Sequence, residues 1–343
     1  MQIELVASWS CSPDRELQSQ WLKVAAGCVG VFLADGSLTV RRGIAGVPVV
    51  ASLTLPAEAL VELDPRGEMV AYLNGAQLSL VTLSGAAAAT TQLPPGMVVA
   101  SFCFRRDGER LWVFGFIGAT FRAIAYDRAL ALIGDYTPPL TRSPRGWPIQ
   151  VHPSADAFVL TLSEDEDDPE AGVRRVGVQI EHGEAMIVFD EGGIDHPCLG
   201  FTNDGRYLVG VEPFTRVMSF PWPTYGVSAE AAFEPDHEGR PVGMIVGDHL
   251  VTERHSTPAI VYDPQTQTAR AHEKHDSSLW VLSLPSLHEE ALIPWAGRGF
   301  GNAEADAGLE IVDAVGDDCF LECRQEGDPG TYALRVWRLR ANA

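Results

Sequence analysis

The sequence predicts an all-β chain whose four-stranded antiparallel sheets are arranged as the blades of a seven-bladed β-propeller. Three observations predict it. Short alternating apolar runs fold over Gly- or Asp-centred turns at a roughly regular period, the residues after each turn are β-branched or aromatic, and helical periodicity is scarce. The turn residues Gly27, Gly67, Gly108, Asp156, Gly205, Gly247 and Gly316 stand 40, 41, 48, 49, 42 and 69 residues apart. A fixed turn point in a repeat of that length marks blades more than a sandwich.

In order, the hairpin signals are AAGCVGVFLADG (25–36), LDPRGEMVAYL (63–73), FRRDGERLWVFG (104–115) and VHPSADAFVLTL (151–162). FTNDGRYLVGV (201–211), MIVGDHLVTE (244–253) and AVGDDCFLEC (314–323) complete them. Asp-Gly pairs supply the left-handed backbone positions that a tight hairpin needs. Third strands follow at 76–83, 120–127, 174–181 and 331–339. The widest interval holds two candidates, 258–263 and 278–284. Either an inserted hairpin lies within about 254–277 or the ring has eight blades; seven is the preferred count. Only 12–24 (SPDRELQSQWLKV) suits a helical turn or two, begun by a Ser-Pro cap. After residue 308 only three strands remain, 308–314, 317–323 and 331–339. The N-terminal strand 1–9 (MQIELVASW) is therefore expected to pair with the last blade and close the ring. The whole of 1–343 reads as one propeller domain.

FRRDGERLWVFG and FTNDGRYLVGV resemble the F-x-x-D-G-x-x-L-x-V first hairpin of WD-repeat and TolB-type β-propellers. Tyr126-Asp127 and Tyr262-Asp263 end strands where that family often places Trp-Asp, although no Trp-Asp or Gly-His dipeptide occurs. The resemblance spans nearly the whole chain. It implies a propeller and, by itself, no function.

Composition narrows the function classes. A hydrophobic content of 46% with 21% charged residues excludes disorder, and no run approaches the roughly 18 apolar residues of a membrane span. Twenty-five basic against 46 acidic side chains leave a net charge of −21. Attraction to a phosphate backbone is thereby disfavoured, so the expected partner is another protein, one with a basic surface, and neither nucleic acid nor membrane. Lys23 and Lys274 are the only lysines, and no GxxxxGK[ST] string is present. Cys11, Cys28, Cys103, Cys198, Cys319 and Cys323 lack CxxC spacing, and most read as small buried hydrophobes in a reducing compartment. The first residues lack a basic n-region and a long apolar h-region. A cytoplasmic monomer without cofactor is expected.

A propeller has two faces, one carrying the first-to-second and third-to-fourth turns, the other the second-to-third loops and interblade crossings. The second holds the long segments: 136–148, 234–240 and 295–308 as crossings, with 163–172 and 254–277 as loops. Arg142, Arg145, Trp147, His237, Trp295, Arg298 and Phe300 lie there, and Trp and Arg are enriched in interface hot spots. The acidic run 164–170 lacks EF-hand order, and His272, His275 and Asp276 in one loop do not establish metal geometry. No G-x-S-x-G, H-E-x-x-H or G-x-G-x-x-G string occurs, so no catalytic or metal-binding residue is assigned. The leading expectation is a non-catalytic protein-binding scaffold. The alternatives are a metal-assisted, lactonase-like hydrolase with Glu62, Glu310 and Asp313 at the channel, and an immunity-type antagonist of a basic protein.

Overall fold

The computed structural model describes residues 1–11, 22–25, 27–33, 35–42, 49–140, 149–163, 173–194, 198–212, 216–232, 237–256, 260–263, 268–271, 277–295, 309–325 and 331–341. Strand β1 (Gln2–Cys11) opens the chain. The first blade is β2 (Leu22–Ala25), β3 (Cys28–Phe32), β4 (Ser37–Arg42) and β5 (Val49–Thr54). The second is β6 (Leu60–Leu63), β7 (Met69–Asn74), β8 (Gln77–Thr82) and β9 (Ala87–Gln92). The third is β10 (Met97–Phe104), β11 (Leu111–Ile117), β12 (Thr120–Tyr126) and β13 (Leu132–Tyr136). The fourth is β14 (Gln150–Val151), β15 (Ala157–Ser163), β16 (Val173–Glu181) and β17 (Glu184–Ile194). The fifth is β18 (Cys198–Phe201), β19 (Tyr207–Glu212), β20 (Arg216–Pro221) and β21 (Ala229–Ala232).

The sixth blade begins with β22 (His237–Val246) and β23 (His249–Ser256). It then leaves its sheet for a separate hairpin, β24 (Ile260–Asp263) and β25 (Thr268–Ala271), and returns as β26 (Ser277–Ser283) and β27 (His288–Trp295). The seventh is β28 (Leu309–Ala314), β29 (Cys319–Gln325) and β30 (Tyr332–Arg340), with β1 as its outer strand in the order β1-β30-β29-β28. The β1–β30 ladder runs antiparallel from Gln2↔Arg340 to Cys11↔Tyr332. The architecture is a seven-bladed propeller of four-stranded antiparallel sheets, and no helix occurs among the described residues.

Two local expectations are corrected. Leu22–Ala25 is strand, which takes the last three residues of 12–24, the stretch read as a helical turn or two; 12–21 lies outside the described residues. Tyr262-Asp263 ends a strand of the inserted hairpin and not a third blade strand, which is β26 instead. A short apolar run before a turn reads alike in both settings, and only sheet partners tell them apart.

The core is a ring of apolar layers between neighbouring blades. Second strands are sandwiched on both faces, so apolar residues run consecutively along them, as in LWVFGFI of β11, instead of strictly alternating with polar ones. Along β11, Leu111 and Val113 face the second blade, while Trp112 and Phe114 face the fourth. Along β29, Cys319, Leu321 and Cys323 pack with Val29 and Val31 of the first blade, and Phe320 turns to Met244 and Val246 of the sixth. Fourth strands lie outermost, and β9 and β13 are mostly exposed. First strands ring the central axis.

Candidate functional site

On the face of first-to-second turns one local chemistry recurs. The amides of Gly67, Gly108 and Gly205 donate to the carbonyls of Asp64, Arg105 and Thr202 at 2.8, 2.8 and 2.9 Å. Asp107 Oδ1 accepts from the Glu109 amide at 2.9 Å, and Asp204 Oδ1 from the Arg206 amide at 3.0 Å. Such short-range acceptors are why aspartate recurs in these turns. In the fourth blade the acceptor is instead His152, in register with Arg105 and Thr202 and two residues ahead of the aspartate position. Its Nδ1 accepts from the amides of Ser154 and Ala155 at 3.2 and 2.9 Å, and Nε2 faces the Gly205 carbonyl of the fifth blade at 3.1 Å. Those partners require a neutral ring with its proton on Nε2. Burial lowers the His152 pKa from the ordinary 6.5; the Gly205 carbonyl opposes this, Arg105 adds to it and Asp204 opposes it.

Charged side chains stitch neighbouring blades together on this face. Arg66 donates to the Asp107 carbonyl at 3.1 Å and pairs with Glu109. Arg128 reaches back to Asp64 and Glu68 at 3.1 and 2.7 Å, and Arg105 forward to Asp156 at 2.6 Å. The Arg66–Glu109 pair is exposed and screened by solvent, so it contributes little to stability. Asp64 is fully buried, so losing Arg128 strands a charge at a cost of about 3–5 kcal/mol.

The turns surround the mouth of a central channel of about 840 Å³, to which every blade contributes a first strand or its turn. Most of its lining residues are apolar or glycine, including Val24, Leu63, Phe104, Val151, Leu199 and Met244, but polar atoms, those of Glu62, Arg106, Gln150 and Asp317 among them, make up more than half of the surface it exposes. Glu62 of the second blade lines it and is ion-paired to Lys23 of the first, Nζ to Oε1 2.8 Å, with 12% of the lysine and 27% of the glutamate side chain accessible. Burial raises the Glu62 pKa, and Lys23 opposes that shift by charge and hydrogen bond. Cys103, also on the wall, is a thiol pushed far up by burial and then by the Glu62 charge. It is half-buried, unlike Cys28, Cys319 and Cys323, which fit the expectation of small buried hydrophobes. Gly200 and Gly243 form the wall on the far side of the ring from the ion pair. At the mouth Arg106 of the third blade spans to Asn203 of the fifth and, at 3.6 Å, to Asp317 of the seventh.

The residues expected from sequence fare differently. Arg142, Arg145, Trp147, Arg298 and Phe300 lie outside the described residues, as do the acidic run 164–170 and His272, His275 and Asp276. His237, expected in a crossing, begins the long first strand β22 opposite Ser256, and Trp295 ends β27 opposite Ser277; their side chains lie outside the described set. Glu62, Glu310 and Asp313 stand on innermost strands, but the side chains of the latter two are also outside it. Among the described residues no group of three or more His, Cys, Asp or Glu could hold a metal ion. Sequence reasoning missed Lys23 as the partner of Glu62. Its signal was a rare lysine just before the first hairpin.

No protein-family model matches the chain, and no curated protein matches it. Among solved structures it is similar to the β-propeller domain of Cps50 (Swd1) from Myceliophteria thermophila. The TM-score is 0.56 at 11% identity, over 99% of this chain and 100% of that one. At that identity the likeness shows the fold.

Proposed function

We propose that the protein is a non-catalytic, protein-binding propeller, one domain over 1–343, whose partner docks on the face of second-to-third loops and interblade crossings. The contrast between the two faces carries the reading. The first-to-second turns are short and tied to one another by hydrogen bonds and ion pairs. The longer connections, between β13 and β14, β23 and β26, and β27 and β28, join strands at their ends on the other face. Long connections on one rim of a rigid ring are where binding residues usually reside. Trp147, Trp295 and Arg298 supply hot-spot side chains there, and the net charge of −21 favours a partner with a basic surface.

Affinity capture, followed by reconstitution with the purified partner, tests this. The triple variant Trp147→Ala, Trp295→Ala, Arg298→Ala should keep the parent's melting temperature and weaken binding about 100-fold. A turn-face variant, Arg66→Ala with Glu109→Ala, should bind like the parent. The reverse ranking would assign the partner to the other face.

A further inference from the structure

We infer that the outer edge of the second blade, strand β9, is a self-association surface, on which a second copy of this chain pairs edge to edge about a two-fold axis. The contact lies on the rim of the ring and does not depend on the protein-binding face proposed above. It departs from the monomer expected from the sequence.

The carrying observation is a gap in the charge. Residues 69–104 contain no Asp, Glu, Lys, Arg or His, a run of 36 in a chain with 21% charged residues, where about seven or eight would be expected. Burial accounts for part of the gap, because β7 and β8 are largely buried. It does not account for the rest. Thirteen residues between 74 and 96 are exposed, Ala87, Ala88, Thr90 and Gln92 of β9 among them. Exposed positions are where a protein of net charge −21 ordinarily carries its charges.

The place of the gap gives it meaning. An edge strand offers unpaired backbone groups to any other strand, and proteins block this with charge, proline or bulges. Acidic residues stand on other outer strands: Glu4 on β1, Asp135 on β13, Glu184 on β17, Glu230 on β21 and Glu289 on β27. Strand β5 is uncharged too, but its partner β4 sets Arg41 opposite Val49. Strand β9 pairs with β8, which is itself uncharged, in register from Leu80↔Ala89 to Gln77↔Gln92. A bulge at Ala88 interrupts that ladder only at its start.

Charge also selects the occupant. Two strands related by a two-fold axis set residues against their own copies, so a charge there meets a like charge. Self-pairing therefore requires an uncharged strand. A basic partner, the kind favoured by the net charge, would meet no carboxylate on β9. Two copies repel through −21 charges each, and β9 is where they approach with the least repulsion. Pairing continues the sheet β6-β7-β8-β9 of one copy into that of the other. Thirteen exposed residues are fewer than the roughly 20–30 a side of a standard interface, so the dimer is weak and concentration-dependent.

Sedimentation velocity of the full chain tests the inference. The apparent mass should rise from the 37.1 kDa of one chain toward twice that value between about 5 and about 500 μM. Salt should tighten the dimer between about 50 and about 500 mM, because it screens the repulsion and no ion pair is lost. Thr90→Glu brings like charges into the contact; it should melt like the parent and weaken self-association at least about tenfold. Gln92→Glu, nearly isosteric, carries the same expectation should that variant fail to fold. Thr54→Glu, on exposed β5, should self-associate like the parent. A parent that stays monomeric throughout would leave the edge to a different chain and overturn the inference. So would a dimer weakened by salt, parental self-association in the folded β9 variant, or a loss confined to Thr54→Glu.

Discussion

In the fourth blade the turn acceptor is the His152 imidazole, two residues ahead of the position that holds Asp107 and Asp204 in the third and fifth, and it makes one interblade joint sensitive to acid. Its Nδ1 lone pair receives two backbone amides and its Nε2 proton meets the Gly205 carbonyl. The ring also lies against Phe201 and Trp222, at centroid distances of 4.9 and 6.0 Å. Gly205 has φ +72°, and a Cβ there would overlap the imidazole, so glycine is required twice over. A proton on Nδ1 would oppose both amide donors. Burial, the first cause, and Arg105 hold the folded-state pKa below 6.5; the Gly205 carbonyl and Asp204 work the other way without reversing it. The unfolded chain takes up the proton near 6.5, the folded chain only at lower pH. The stabilisation is therefore complete above about pH 6.5 and is lost as the pH falls through the window down to the folded pKa. Asparagine keeps a turn acceptor and does not titrate. The melting temperature of His152→Asn should accordingly fall less between pH 7.5 and 5.5 than that of the parent; parallel curves in thermal melts would refute the assignment.

At the scale of the strand, position within the blade sets energetic weight. Phe158 on β15 packs edge-on against Trp112 and Phe114 of the neighbouring blade, at 5.6 and 5.0 Å between ring centroids, and is fully buried. Phe158→Ala should destabilise by about 3–5 kcal/mol in urea unfolding, because the cavity opens between two sheets that cannot collapse independently. Thr90→Ala, on exposed β9, should stay within about 0.5 kcal/mol. Equal effects would mean that the blades do not share their cores. The same architecture explains what was legible in sequence. The first-to-second turns were readable because a Gly or Asp recurs at each; at Gly67, Gly108 and Gly205 the amide's partner lies three residues back, while the Gly27 amide reaches the Val315 carbonyl of the seventh blade. Strand β24 was ambiguous because its partner alone distinguishes an inserted hairpin from a blade strand. The channel pair was half legible. Glu62 drew notice as an acid on an inner strand, but Lys23 lies 39 residues earlier in another blade, and only the ring brings them together. Arg106 was hidden likewise, since its contacts lie in the fifth and seventh blades.

For the whole molecule, the question is what holds a ring of sheets shut. Each blade is a small sheet that buries its faces only against its neighbours, so the joint between the seventh and first blades matters as much as any other. Strand β1 touches three blades there. It pairs with β30 in the seventh, Met1 and Ile3 pack on the layer shared with the sixth, and Val6, Ala7 and Trp9 join the layer shared with the first. The Arg41 guanidinium of the first blade lies 5.9 Å from the Trp9 ring centroid. Removing 1–11 would strip apolar cover from two interblade layers and leave the backbone groups of β30 as an open edge. Such a variant should melt at least about 5 °C below the parent and self-associate more readily. The lost segment is contiguous and pairs with a single strand, so a synthetic peptide of residues 1–11 should recover much of that loss in trans. A scrambled peptide of the same composition should not. If the shortened chain melts like the parent, the interblade layers alone keep the ring closed and β1 is an accessory to it.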